Sequence, residues 1–245
     1  MRPRIFHPGA LTEGAELRLK GTEATHLGKV LRLRGGDEII LFNGDGLDHM
    51  ARIISTGRHD MTIEIGECRE SDTESPIDVT LLQGICKNQH MDMLIQKSTE
   101  LGVRTIRPVI CERGVVRIND ERIDRKVRHW RRVAISACEQ CGRTLIPEFG
   151  QPEILADAIE RLDATAARII LDPAGSEILQ AAIGTAHCIV LLVGPEGGLT
   201  KTETSAALKA GFRTVRLGPR VLRTETAPVA ALSIIQYLIG DLGER

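Results

Sequence analysis

The sequence predicts an α/β domain that follows a small β domain, and three patterns support this prediction. From Ile77 onward, apolar β-branched runs alternate with helical patterns, which is typical of helices packed around a mostly parallel sheet. Within residues 1–72, short alternating runs surround the turn Asn43–Gly46, as in a β-hairpin. Between these regions Arg69–Pro76 is polar and ends in proline, so we interpret it as a linker. The predicted domains are therefore residues 1–72 and 73–245.

Each element is predicted from a local pattern. In the first domain we expect strands over 39–42, 49–57 and 61–68, with a short helix and a basic loop within 24–38. In the second domain we expect strands over 77–86, 104–111, 168–172, 188–193 and 214–218. Helices are predicted over 90–102, 120–141, 154–162, 176–183, 200–211 and 225–239. Thr200 and Glu203 have the spacing of a capping box at the start of one of them.

Composition favours an ordinary globular protein of the cytosol. Apolar residues make up 42% and charged residues 27% of the 245 residues. No apolar run approaches the roughly 18–20 residues that span a bilayer, and Met1–Ala10 does not resemble a signal peptide. We therefore expect a cytoplasmic protein with no membrane partner. The six cysteines are interpreted as free thiols, and the C-x-x-C of Cys138 and Cys141 as small helix residues, so no metal site is predicted.

The net charge of −1 does not by itself favour a nucleic-acid partner, but the charge is uneven. Basic residues are frequent near the N-terminus, where Arg2, Arg4, Arg32 and Arg34 are our candidates for contacts with RNA phosphates. A second basic segment contains Arg122, Arg125, Lys126, Arg128, Arg131, Arg132 and Arg143. Local basic faces are sufficient for phosphate contacts. Charge alone leaves solvated helix faces as an alternative.

Two glycine-containing turns near the C-terminus are the most informative feature. The runs Cys188–Thr200 and Arg213–Ala227 each contain an apolar strand pattern that stops at a glycine turn and gives way to a helix. Since ligands of parallel sheets lie at the carboxyl ends of the strands, the two turns are placed to surround one ligand. The GPEGG turn matches neither the Walker A loop nor the G-x-G-x-x-G fingerprint. A plain strand–turn–helix connection remains the alternative, with arginines of the second turn in a structural ion pair with Glu196 or Glu225.

Four separated motifs, in this order, resemble the RsmE-type 16S rRNA methyltransferases of the SPOUT superfamily. They are IQKSTELGV, ACEQCGR, GPEGGLT and LGPRVLRTETA, and they follow an N-terminal PRIFH…HLGKVLRLRGGDEI segment similar to that family's PUA-like β-barrel. The resemblance covers essentially the whole chain. It implies methylation of N3 of a uridine in 16S rRNA of the small ribosomal subunit, with S-adenosylmethionine as the methyl donor. It also implies a deep trefoil knot in the C-terminal α/β domain, and a homodimer.

The resemblance also implies site residues. The cofactor-binding residues would be Leu171, Gly194, Pro195, Glu196, Gly197, Gly198, Leu217, Gly218, Val221, Leu222, Arg223, Thr224 and Ala227. Arg223 is the first candidate, and Arg143 the second, for stabilising negative charge on uridine O2 and O4. Glu225 would orient the arginine or accept the N3 proton, although a carboxylate is a poor base for so weak an acid. Relatives often carry a longer basic residue at the position of His90, so its contact with RNA is an open question.

Two other functions are compatible with these residues. One is a SPOUT methyltransferase acting on a tRNA ribose, which the barrel-like N-terminus and the ACEQCGR motif disfavour. The other is a non-catalytic RNA-binding assembly factor, which the intact glycine turns and the polar second turn disfavour.

Overall fold

The computed structural model describes residues 2–25, 27–28, 32–57, 59–114, 120–162 and 165–243. The chain forms two compact units. The first consists of residues 1–74 together with 138–146, and the second of 75–137 together with 147–245. The motif ACEQCGR thus lies largely in the first unit, although the helix that contains it begins in the second. The pattern of residues along the chain gave no indication of this return.

The first unit is a curled five-stranded sheet. Its elements are β1 (Arg4–Phe6), β2 (Glu16–Lys20), α1 (Thr22–Thr25), β3 (Glu38–Phe42), β4 (Leu47–Thr56) and β5 (Asp60–Glu70). The strand order is β1-β3-β4-β5-β2, with β1 parallel to β3 and the other pairs antiparallel. Register shifts in β4 curl the sheet, since a bulge increases local twist.

Alternation along these strands builds the core of the first unit. Ile39 and Leu41 on β3, and Ile63 and Ile65 on β5, are almost completely buried. The residues between them point to the other face of the sheet, as the two-residue period of a strand requires. The predicted hairpin around Asn43–Gly46 is present as the β3–β4 connection, where Asp45 accepts a hydrogen bond from the N–H of Leu47.

The second unit is a seven-stranded parallel sheet flanked by helices. Its strands are β6 (Asp78–Gly84), β7 (Thr105–Ile110), β8 (Glu148–Phe149), β9 (Glu153–Ile154), β10 (Ala167–Leu171), β11 (Cys188–Val193) and β12 (Arg213–Val215). The order is β12-β10-β11-β6-β7-β8, and β9 also pairs with β7. The predicted α/β architecture with a parallel sheet is confirmed.

Five of the helices that accompany this sheet pack on one another in two groups. The helices are α2 (Asn88–Glu100), α3 (Asp120–Cys141), α4 (Leu155–Glu160), α5 (Leu179–Ile183), α6 (Lys201–Lys209) and α7 (Thr226–Ile239). Both α2 and α5 pack on α7, whereas α4 packs on α6. Apolar side chains on both faces of the central strands explain this, because a strand covered on both sides is continuously apolar. Among the helices of the described residues, none is both long and apolar enough to cross a membrane.

Local signals set several helix boundaries. The capping box at the start of α6 is confirmed, since Thr200 Oγ1 accepts from the Glu203 N–H and the Glu203 carboxylate accepts from the Thr200 N–H. Helix α3 spans the predicted residues, whereas α5 is shorter than predicted and begins at Leu179. None of the six cysteines, all in the described part of the chain, forms a disulfide, and burial raises the pKa of the Cys138 thiol to about 12, in keeping with an inert packing residue.

Candidate active site

A cavity of about 520 Å³ opens in the second unit where β10, β11 and β12 end. The chain that follows each strand forms one wall, because parallel strands place their carboxyl ends at the same edge of the sheet. The residues lining it are His90, Ile170, Leu171, Asp172, Pro173, Val193, Gly194, Pro195, Glu196, Gly198, Leu199, Val215, Arg216, Leu217, Arg220, Val221, Leu222, Arg223, Thr224, Glu225 and Ala227. The predicted cofactor residues all line this cavity except Gly197 and Gly218.

The first loop, Gly194–Gly198, is held against β6 by a close backbone approach. A Cβ on Gly84 would lie 2.5 Å from the backbone nitrogen of Pro195 and 2.8 Å from the carbonyl carbon of Gly194. Such distances leave no room for a side chain, so only glycine allows the loop this position. Sequence reasoning missed Gly84, although a glycine inside a strand pattern is a recognised sign of close backbone approach.

The second loop, Leu217–Thr224, is tied to the first by a buried polar network. Thr224 Oγ1 donates to the carbonyl oxygen of Gly194 at 2.7 Å. Gln83 on β6 donates to Thr224 Oγ1 at 3.3 Å and to the carbonyl oxygen of Gly84 at 2.9 Å. Because Thr224 and Gln83 are both buried, the network fixes the two loops relative to the sheet.

The backbone of the second loop is available to a ligand. Within the part of the chain that the structure describes, the backbone of residues 217–222 forms no hydrogen bonds with other backbone groups, and Pro219 has no N–H. Gly218 has φ of 74°, a left-handed conformation that favours glycine. Its role is therefore to turn the loop, which explains why it does not line the cavity itself. Unpaired backbone groups beside a cavity are suited to bind the edge of a planar heterocycle.

Three acidic and basic side chains meet at one end of the cavity. His90 Nδ1 lies 3.3 Å from Glu196 Oε1 and 3.6 Å from Glu225 Oε2. Glu225 is 7% exposed, and its Oε2 is buried without a hydrogen-bond partner among the described residues. A buried carboxylate oxygen with no donor is costly, which indicates a group that a bound ligand completes.

Glu196 is held as a carboxylate by the start of α2. Burial raises its pKa, but hydrogen bonds from the N–H of Lys87 and from its own backbone, together with His90, outweigh burial and lower it below the ordinary value. The Lys87 N–H reaches Glu196 Oε1 at 2.9 Å. His90 therefore belongs to the cavity wall, a position that the sequence left open.

Arg220 and Arg223 of the second loop have no acidic partner among the described residues. The two glutamates that the sequence offered as partners face His90. The expected alternative of a structural ion pair between Arg223 and Glu196 or Glu225 is therefore absent from this part of the chain. Both guanidinium groups remain available to a ligand of negative charge.

Gly197, a predicted cofactor residue, is packed closely against the segment that follows β7. A Cβ at this position would lie 2.9 Å from Cβ of Arg113 and 3.0 Å from the Arg113 carbonyl oxygen. Gly197 thus faces the segment after β7, outside the lining of the cavity. Arg113 in turn donates from its guanidinium to the carbonyl oxygens of Gly197 and Leu199, each at 3.4 Å.

Arg143, the second candidate for a catalytic arginine, lies in the first unit and does not line the cavity. Its side chain is buried and pairs with Glu74 at 2.8 Å. The other oxygen of Glu74 accepts from the N–H groups of Thr144 and Leu145. This network holds the turn after α3 within the first unit, so the structure shows a packing role for Arg143 there.

The four arginines predicted to contact RNA occupy different environments. Arg2 is exposed and pairs with Glu38 at 2.7 Å. Arg4 is 8% exposed, pairs with Asp48 at 2.6 Å and lies over the Phe42 ring, so it is committed to the interior of the first unit.

Arg32 and Arg34 are both exposed, outside any strand. Arg32 has φ of 56°, so the backbone at this residue is not an extended strand. Their assignment to RNA stays a prediction that rests on exposure and charge.

Comparison with known proteins supplies a family for this geometry. A family model described as an RNA methyltransferase domain matches residues 73–236, and one described as an RNA methyltransferase PUA domain matches residues 19–66. A curated relative from Buchnera aphidicola, named ribosomal RNA small subunit methyltransferase E, is 34% identical over 98% of both chains.

Two solved structures are similar over almost the full length. One is a putative methyltransferase from Legionella pneumophila in complex with the cofactor SAM, 39% identical with a TM-score of 0.94, covering 99% of this chain and 100% of that one. The other is a ribosomal RNA small subunit methyltransferase E from Neisseria gonorrhoeae bound to S-adenosyl methionine, 38% identical with a TM-score of 0.92 and the same coverage. The chain described here belongs to the RNA methyltransferase family that these proteins represent.

Proposed function

We propose that this protein transfers a methyl group from S-adenosylmethionine to N3 of a uridine in 16S rRNA of the small ribosomal subunit. The observation that carries the proposal is the cavity between the two glycine loops, whose wall includes most of the predicted cofactor residues. Relatives over nearly the whole chain are named small-subunit rRNA methyltransferases, and two similar structures were solved with the methyl donor bound. The choice of N3 rests on the motif resemblance.

The cavity fits S-adenosylmethionine in size and chemistry. Its volume falls within the roughly 300–1,000 Å³ typical of small-molecule sites. Leu171, Leu217 and Leu222 would pack on the adenosine, and the unpaired backbone of residues 217–222 would bind its polar edge. Glu196, which also lines the cavity, would accept from the ammonium group or face the sulfonium charge. When bound, the cofactor supplies an activated methyl group on a positively charged sulfur.

Arg223 stabilises the negative charge that develops on uridine O2 and O4 when N3 loses its proton. It lines the cavity, and its guanidinium has no ion-pair partner among the described residues. A fixed donor aimed at developing charge is a large contribution to catalysis, worth about 3–4 kcal/mol where single donors were removed. The loop holds this arginine through Thr224, the next residue, which is anchored to Gly194.

Glu225 accepts the N3 proton at Oε2. That oxygen is buried, without a donor among the described residues, and 3.6 Å from His90 Nδ1. A carboxylate alone is a weak base for a uridine, so the neighbouring His90 imidazole is the group that passes the proton on to solvent. Its side chain is partly exposed, which gives the proton an exit.

The first unit contributes RNA contacts through its exposed arginines. Arg2, Arg32 and Arg34 are on its surface, and they would bind phosphates on either side of the target. Such contacts position a strand without reading its sequence. Arg4 is excluded from this surface by its burial against Asp48. We place the reaction in the cytoplasm, where small-subunit rRNA is found.

We infer further that the second unit is knotted and that the protein is a homodimer. The knot is supported by the motif resemblance and is compatible with the contact of Thr224, after β12, with Gly194, after β11, which brings the two loops together beside β6. The dimer is supported by apolar side chains left exposed on α7 and the second loop, with Val221 77% and Tyr237 68% exposed. Light scattering in solution tests the dimer, and a monomer at micromolar concentration would exclude it.

The test of the function is a nucleoside profile. Unmodified 16S rRNA and assembled small subunits are incubated with the protein and methyl-labelled S-adenosylmethionine, then digested and separated by mass spectrometry. The expected product is 3-methyluridine. A ribose-methylated nucleoside would replace the N3 assignment, and binding of RNA without methylation of either substrate would replace the enzyme with an assembly factor.

A further inference from the structure

Helix α3 presents a row of three exposed arginines that the proposed reaction does not use. Arg125, Arg128 and Arg132 are spaced three and four residues apart, so they lie on one face of the helix. At about 1.5 Å per residue the row is roughly 10 Å long. The opposite face is buried through Trp130, whose indole is among the largest fully buried side chains.

Among the described residues, none of the three guanidinium groups forms an ion pair or a hydrogen bond. Arg128 and Arg132 are like charges four residues apart, an arrangement that destabilises a helix. Glu121 and Asp124 stand four residues before Arg125 and Arg128, and the carboxylate of Asp124 accepts from Gln151 at 3.5 Å. Concentrated positive charge on a nearly neutral protein indicates a negatively charged partner.

The row lies beside the contacts between α3 and α2, and α2 contributes His90 to the cavity wall. His129, on the adjacent side of α3, contacts Asp92 of α2 at 2.9 Å. Lys126 donates to Asn88 at 3.0 Å, at the first residue of α2. Lys87 immediately precedes α2, and its N–H binds Glu196 in the cavity wall. Contacts between α2 and α3 therefore connect the row with the rim of the cavity within one unit.

We propose that Arg125, Arg128 and Arg132 bind phosphates of the RNA strand that flanks the target base. The inference rests on the proposed function, since it requires RNA at the cavity. Arginine suits this task because its planar fork binds phosphate oxygens with two donors. The row positions the strand and carries no base specificity.

The test is the salt dependence of RNA binding by the full chain. The double variant R128Q/R132Q, which removes two positive charges, is titrated with a single-stranded 20-nucleotide RNA containing one uridine. Binding is measured by filter binding over a series of salt concentrations. Each lost phosphate contact lowers the slope of log K against log salt by about 0.7 for single strands. The slope should therefore fall by about 1.4, with binding roughly 20-fold weaker near 0.1 M salt.

A matched control separates this site from general charge. Lys201 and Lys209 are exposed on α6 of the same unit, and K201Q/K209Q makes the same change in net charge. This variant should keep the wild-type slope, and R128K/R132K, which keeps the charge, should keep most of it. The proposal is overturned if R128Q/R132Q and K201Q/K209Q both keep the wild-type slope, or if both lose the same amount of slope. It is also overturned if R128K/R132K loses as much slope as R128Q/R132Q.

The variants also separate this inference from the proposed function. S-adenosylmethionine affinity, measured on each variant, should be unchanged and reports an intact second unit. If wild-type protein methylates 16S rRNA and R128Q/R132Q binds RNA with an unchanged slope, the phosphate row alone is wrong. If the wild-type protein methylates no RNA, the proposed function itself fails.

Discussion

Replacing Gly84 with alanine should displace the first glycine loop and weaken the binding of S-adenosylmethionine. The added Cβ would lie 2.5 Å from the nitrogen and 2.6 Å from Cδ of Pro195. Non-bonded atoms of this kind settle near 3.5 Å, so the loop must retreat by about 1 Å. Thr224 resists this movement because it holds the Gly194 carbonyl by a hydrogen bond.

The magnitude follows from this conflict. Forcing one extra carbon into a packed site costs about 1–3 kcal/mol. Since about 1.4 kcal/mol is tenfold in affinity, a loop carrying the whole strain would bind the cofactor about 5- to 150-fold more weakly. Strain that remains in the free protein lowers the melting temperature instead, by about 2–4 °C per kcal/mol for a chain of this size. Titration calorimetry therefore measures the part of the strain that weakens cofactor binding, and thermal unfolding measures the part that remains in the free protein.

Gly150→Ala is the control for this experiment. It makes the same chemical change in the second unit, but its Cβ approaches nothing closer than Cγ of the Arg107 side chain, at 3.3 Å. At this distance the neighbour has to give by only a few tenths of an ångström, so affinity and melting temperature should stay near wild type. If Gly84→Ala behaved like this control in both measurements, the backbone approach between β6 and the loop would not be what positions the cavity wall.

Four further changes test other parts of the site. Thr224→Val removes a buried hydroxyl and should lower stability by about 1–3 kcal/mol in denaturant unfolding, with Thr224→Ser retaining most of it; equal losses for the two would contradict the hydrogen-bond account. Arg223→Ala should lower kcat for 16S rRNA about 100-fold or more while cofactor affinity measured by calorimetry stays similar; loss of cofactor binding with unchanged kcat would reassign the residue. Because the pKa of Glu196 is lowered in the folded protein, its charged form stabilises the fold at pH values above the ordinary glutamate pKa, and this stabilisation is lost as the pH falls through the folded pKa. Glu196→Gln should therefore be less stable than wild type at neutral pH, and the difference in unfolding free energy should shrink in acid. A difference that does not change with pH would refute this. The double change of Arg32 and Arg34 to glutamate should weaken RNA binding in a filter assay and leave cofactor affinity alone; unchanged RNA binding would move that surface elsewhere.

Local patterns determined much of the fold of this protein. The period of the apolar residues predicted β3 to β7, β10 to β12 and the helices α2 to α7, because burial on one face or both faces of an element leaves that period in the sequence. It did not predict β1, β2, β8 or β9, which are at most five residues long. The capping box at Thr200 and Glu203 was also readable, since both partners lie within one turn of α6. The glycine turns after β11 and β12 were placed at the cavity because parallel strands end at a common edge.

Contacts between distant parts of the chain were decided only by the tertiary structure. Gly84 and Pro195 meet because β6 lies beside β11 in the sheet, an order that no local period encodes. The placement of His90 between Glu196 and Glu225 joins three separate segments. Arg143 and Gly197 belong to motifs of the sequence, yet one pairs with Glu74 and the other faces Arg113. A motif shows that a residue type is required, whereas its partner depends on how the chain packs, and packing depends on long-range contacts that sequence spacing does not contain.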